Sequence, residues 1–219
     1  MAVIEGGVSG ALQGVGAESA SAGHVHVKPI PYGALGHYRL TVRINSTAAQ
    51  AANSRIFEIR NTHATNLIIP TRLTLRAMQT VAGTAQENSL DCYKVTAFTA
   101  VDTTNTVTPT SSVKRSSMAA FPGGAAVRHL TLAGAALGMT GGTLTKDANM
   151  FATLPYSVAA AINTTTLWGP LDALDDVNGT HPFVFTQNEG LIIENRVLNV
   201  TSYGVTWYID FSWAEVTAY

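Results

Sequence analysis

Over residues 205–216 the sequence alternates without a break: Val205, Trp207, Ile209, Phe211 and Trp213 fall on one side, and Thr206, Tyr208, Asp210, Ser212 and Ala214 on the other. Successive side chains of a strand point to opposite faces, so an extended chain gathers all five apolar groups on one face. A helix would scatter them around its circumference. The same period recurs upstream. Within 38–44, Leu40, Val42 and Ile44 oppose Arg39, Thr41 and Arg43. Residues 55–60 read as a second strand. After a polar turn at 61–66 come 67–69 and, beyond Pro70, 71–79 with Leu73, Leu75 and Ala77 on one face. Residues 90–101 form a long strand whose Tyr93, Val95, Ala97 and Val101 oppose Lys94, Thr96 and Thr99, and 127–132 a short one.

Strands spaced in this way and joined by turn residues predict an all-β chain, an antiparallel β-sandwich or jelly roll, in place of alternating strands and helices. The 28 threonines suit a sheet surface that stays wet without much charge. Helix is confined to a short candidate at 158–162, limited by Thr164, Thr165 and Thr166. The Thr-, Ser- and Asn-rich stretch 102–117 reads as a long surface loop. In the last third, a strand at 191–198 and the strand at 205–216 are expected to pair as an antiparallel hairpin carrying two tryptophans inside. Residues 1–35, rich in Gly, Ala and Ser, read as a flexible N-terminal arm in which 24–29 could be a short edge strand. The β-sandwich domain then occupies 36–219.

Only 12% of the residues are charged, with a net charge of -1. No run of lysines or arginines marks an electrostatic footprint, so nucleic acid is not an expected partner. No apolar stretch reaches the roughly 20 residues of a membrane helix, and no membrane association is expected. Residues 1–16 lack the basic and apolar regions of a signal peptide, and a lone Cys92 excludes an intrachain disulfide framework; both place synthesis in a cytoplasm.

Candidate chemistry is sparse. His24 and His26 share one face of an extended segment and could supply two metal ligands, but His37, His63, His129 and His181 stand at no motif spacing to complete a site. Asp172, Asp175, Asp176, Asn178 and Gly179 form an oxygen-rich turn that does not match a calcium loop; a solvated turn is the favoured reading. No nucleophile elbow, zinc-protease helix or phosphate-binding glycine loop occurs. Cys92, within a strand, reads as a buried inert thiol. Glu189 and Glu194 could pair as acid and base, although two carboxylates beside a turn are ordinary. Asn45, Asn163, Asn178 and Asn199 head glycosylation sequons that abundant threonine produces by chance. Trp168, Trp207 and Trp213 could stack on sugars, but core packing accounts better for the last two. No catalytic residue, metal site or cofactor is therefore expected.

The segments Glu189-Gly190-Leu191-Ile192-Ile193-Glu194-Asn195 and Gly204-Val205-Thr206-Trp207-Tyr208-Ile209-Asp210-Phe211-Ser212-Trp213-Ala214-Glu215 resemble the closing hairpin of small virion structural proteins of tailed bacteriophages. The resemblance implies a β-rich head protein, such as a capsid decoration or cement protein, or a tail or adaptor component, and carries over no catalytic residue. The expected partners are then the major capsid protein, other virion proteins and further copies of the chain in a homo-oligomer, with the virion as its location. With Lys28 as its only basic residue, the arm is suited to protein and not to genome. The alternative is a receptor- or glycan-binding module of a phage tail tip or fibre.

Overall fold

The computed structural model describes residues 3–6, 11–14, 35–46, 50–103, 106–109, 113–116, 123–130, 138–139, 141–161, 166–174, 182–197 and 204–217. The chain divides into two compact units, Met1–Ile30 and Pro31–Tyr219. In the first, β1 (Val3–Gly6) pairs antiparallel with β2 (Ala11–Gly14), Val3 opposite Gly14 and Gly6 opposite Ala11. Within the segment read from the sequence as a flexible arm, this local hairpin pairs backbone groups within 12 residues of chain. The expected edge strand at 24–29 lies outside the described residues.

The second unit is a β-sandwich. Its strands are β3 (Gly36–Ser46), β4 (Ser54–Asn61), β5 (Leu67–Gln79), β6 (Gln86–Ala100), β7 (Thr106–Val107), β8 (Val113–Ser116), β9 (Ala125–Leu130), β10 (Thr143–Lys146), β11 (Ala152–Val158), β12 (Thr166–Asp172), β13 (Gly190–Asn195) and β14 (Val205–Val216). One sheet runs β10-β6-β13-β4-β9-β7, with β11 also paired to β6; the other runs β12-β5-β14-β3-β8. Every pairing is antiparallel.

The expected closing hairpin is not formed. β13 lies between β4 and β6, whereas β14 lies between β3 and β5 in the opposite sheet. Both strands are buried along nearly their whole length. A central place in each sheet gives each strand two hydrogen-bonded neighbours and a covered inner face. Gly190, which opens β13, is required there by close approach, since a Cβ would stand 1.8 Å from the carbonyl oxygen of Ile59.

The inner faces meet in an aromatic core. Trp207, Ile209, Phe211 and Trp213 are fully buried, and Phe211 of β14 packs on Phe57 of β4 across the sandwich with ring centroids 5.7 Å apart. Tyr38 stacks on Trp213 at 5.2 Å. β5 runs straight through Pro70, because its pairing skips Thr71 between Arg72 and Pro70, and an irregularity of that kind accommodates a residue without an N–H.

Three further expectations are corrected. Val158 ends β11 and residues 159–161 are not helical, so no helix occurs there among the described residues. In β6 it is Leu90 and Cys92 that join the main core; Tyr93 and Val95 join Ile192, Phe98 and Leu144 in a second cluster, so the expected inner face of this strand is its outer one. The stretch 102–117 is more than a surface loop: it holds β7 and β8, and Asp102 is fully buried.

Candidate functional site

Beside the edge formed by β11 and β12 the surface opens into a groove of about 680 Å³. β11 pairs with β6 in one sheet and β12 with β5 in the other, so the groove sits where the two layers part on that side. Its walls include Glu87, Asn88, Tyr156, Trp168, Arg196 and Met150. Trp168 is half-buried, and its ring lies 6.0 Å from Tyr156, which in turn meets Trp207 edge-on at 6.5 Å. The Tyr156 hydroxyl donates to Asn195 Oδ1 at 2.9 Å. Trp168 is thus held from beneath by the core while part of its surface stays open. Asn88 is fixed as well, its Oδ1 accepting from the Val197 amide at 3.0 Å.

Apolar exposure concentrates on the same side. Among the described residues the exposed large apolar side chains are Val81, Val107, Met150, Leu167 and Val197. Met150 and Val197 line the groove; Leu167, next to Trp168 on β12, projects from the opposite face of that edge strand in register with Met78, and Val81 follows β5 at the end that pairs with Thr166. Only Val107, on β7, belongs to the other side.

The candidates from the sequence do not converge. His24, His26, His181, Asp175, Asp176, Asn178 and Gly179 lie outside the described residues, as do Asn163 and Asn199. Among the described residues no three His, Cys, Asp or Glu groups are placed to hold a metal. His37 Nε2 meets the Thr71 hydroxyl, His63 Nδ1 accepts the amides of Thr65 and Asn66 in a turn, and His129 Nδ1 meets its neighbour's carbonyl while burial pulls its pKa down. Asp172 accepts from the Thr74 hydroxyl, and Asn45 from that of Thr206. Cys92 is fully buried and its thiol pKa is pushed far up by that burial, which leaves an inert thiol.

Glu189 and Glu194 are about 17 Å apart along an extended chain and serve separate partners. Burial raises the Glu189 pKa, but the Thr186 amide and hydroxyl and the Lys94 ammonium outweigh it and hold the carboxyl below its ordinary value. Glu194 pairs with Lys146, whose ammonium also lies 3.8 Å from the centre of the Tyr93 ring.

Reading the sequence missed a buried charge cluster. On the outer side of the seven-stranded sheet, Arg55 reaches Glu58 at 3.0 Å and Asp102 at 3.2 Å and donates to the Gly141 carbonyl, with all three charged residues at most 7% exposed. Burial raises the Glu58 pKa above its ordinary value in spite of Arg55. At one end of the sandwich Glu215 accepts from the Gly124 amide at 2.9 Å and from Trp213 Nε1 at 3.2 Å, and burial raises its pKa too. Gly123, at φ +68°, has no room for a Cβ against that carboxylate. Each of these acids is enclosed by its partners, and neither lines the groove. No family model, curated protein or solved structure matches this chain.

Proposed function

We propose that this chain is a structural virion protein of a bacteriophage, a capsid cement or decoration protein or a minor head protein, that acts by self-association and by binding the shell and is not an enzyme. The observation that carries this reading is the exposure of large apolar side chains about the edge strand β12, Met150 and Val197 in the groove on one side of it and Leu167 on its other face. Exposed apolar groups beside an open strand edge are what an assembly contact covers. The resemblance of residues 189–195 and 204–215 to virion proteins adds to it as a likeness of sequence pattern and not of a shared hairpin, since β13 and β14 lie in separate sheets. The major capsid protein, or a second copy of the chain, is the partner this surface would meet.

The test has two parts. A mass-spectrometric inventory of purified particles from cells producing the chain should contain it at a copy number commensurate with the shell; its absence from particles overturns the reading. The double variant Met150→Asp, Leu167→Asp should keep its melting temperature and lose particle binding or self-association. Normal assembly by that variant moves the contact elsewhere and removes the observation on which the proposal stands.

A second reading has its own observation, the half-open Trp168 ring beside Asn88, Glu87 and Arg196 in a groove. Aromatic faces with neighbouring polar groups are suited to sugars, and the chain would then be a receptor- or glycan-binding module of a tail tip or fibre. Trp168→Ala with unchanged folding and lost binding on a glycan panel would favour it; no glycan bound by the parent protein would dismiss it.

A further inference from the structure

The sheet register assembles a basic face that no stretch of sequence displays. β14 lies between β3 and β5. Tyr208 is opposite Arg43 on one side and Arg76 on the other, and Ser212 is opposite Arg39 and Arg72. With neighbouring strands about 4.8 Å apart and a rise of about 3.4 Å per residue, the four arginines mark the corners of a rectangle of roughly 10 by 14 Å. These residues alternate with the core residues Val42, Leu73, Leu75, Ile209 and Phe211, so they stand on the outer face of the five-stranded sheet. Arg43 and Arg72 are exposed, and Arg39, Arg76 and Tyr208 half-exposed.

The acids on this face are few and already engaged. Asp210, between the two rows, accepts from the Thr41 hydroxyl and lies 3.7 Å from Arg39; Asp172 at the β12 edge accepts from Thr74. Arg72 Nε donates to the Thr74 hydroxyl at 3.0 Å. Arg43 and Arg76, which flank the tyrosine ring, have no hydrogen-bond or ion-pair partner among the described residues. Between the arginines the face is Thr and Asp; towards one end Met78, opposite Thr206, is followed on β12 by exposed Leu167, so the apolar groups lie at its β12 edge and not among the arginines.

We propose that this face binds single-stranded nucleic acid, the arginines taking backbone phosphates and Tyr208 stacking on a base. Guanidinium forks match phosphate oxygens, and hydroxyl side chains add phosphate contacts. An aromatic ring between cationic groups on an open sheet supplies the sequence-tolerant stacking that a single strand offers and a duplex hides. An acidic protein partner is the less fitting occupant, because a protein contact is built around a desolvated apolar centre, whereas the centre of this face is charged and polar and its exposed apolar group, Leu167, stands at the β12 edge. The proposal does not rest on the virion reading; the two surfaces border one another at Leu167, which lies on the β12 edge of this face.

Fluorescence anisotropy of a labelled oligothymidine of about 16 nucleotides with the full chain tests it. Four phosphate contacts to a single strand give a log-log salt slope near -2.8, so affinity should fall about 50-fold between about 50 and 200 mM salt. Arg43→Gln with Arg76→Gln should halve the slope, and Tyr208→Ala should weaken binding by about tenfold at an unchanged slope, both with the parent melting temperature. No binding at the lower salt, or equal binding by all variants, overturns the proposal. So does competition by polyglutamate as effective, charge for charge, as the oligonucleotide with Tyr208→Ala silent, which assigns the face to an acidic protein.

Discussion

On the outer side of the seven-stranded sheet, Arg55 is tied to Glu58 and Asp102, and Lys146 to Glu194; on the outer side of the five-stranded sheet, Arg43 and Arg76 stand open. The residue types are alike. What differs is cover: the segments around Asp102 and Gly141 close over Arg55, whereas the β3–β14–β5 face keeps exposed or half-exposed residues in every row from Arg39 to Arg43. A charge removed from water must be paired or it destabilises the fold by several kcal/mol, while an open one is solvated and remains available to a ligand. The first face is thus bound up with folding and the second is free for recognition.

The largest expected effect lies beneath both faces and sets the scale. Trp213→Ala should cost about 3–5 kcal/mol, enough to unfold or severely destabilise a domain of ordinary stability, whereas Tyr208→Ala on the other side of the same strand should leave the melting temperature nearly unchanged. A well-folded Trp213→Ala variant would break the account of the core. Next, Arg55→Ala strands two buried carboxylates and should cost on the order of 3–5 kcal/mol in denaturant unfolding. Arg55→Met combined with Glu58→Leu and Asp102→Leu should recover part of that loss, because apolar groups need no partner; no recovery would mean the cluster does more than neutralise itself.

A smaller effect is pH dependence. Glu58 and Glu215 have folded pKa values above their ordinary 4.5, so between that value and the raised ones the folded state holds more protons than the unfolded. Their contribution makes stability fall as pH rises through that window and level off above it. Glu189, held low, acts in the opposite sense: its contribution is present above 4.5 and is lost as pH falls through its lowered value. Glu215→Gln should therefore flatten the fall in melting temperature above pH 4.5, and an unaltered slope would show that its burial costs nothing. The smallest effect sharpens the contrast: Arg43→Ala, on the open face, should change stability by less than about 0.5 kcal/mol.

Much of the fold was legible because strand alternation is local. The five inward positions of β14, and Leu40, Val42 and Ile44 of β3, are buried as their spacing requires. The groove was not legible: Trp168 and Arg196 line it together only because β12 and the end of β13 reach the same side of the sandwich, and nothing in their spacing announces it. β6 misled because both of its faces are apolar, one for the main core and one for the cluster around Ile192. Alternation cannot say which of two apolar faces is the inner one.

Strand pairing lies a level further from the sequence. Residues 191–198 and 205–216 follow each other like the arms of a hairpin, yet each does better at the centre of a separate sheet. The sequence by itself determined that the chain is built of strands and which side of β14 faces inward, since both follow from the two-residue period of an extended backbone. Only the tertiary structure decided which strands became neighbours, and with that where the arginines of β3 and β5 came to lie together, because pairing between distant segments is settled by the burial of whole faces and not by any local rule.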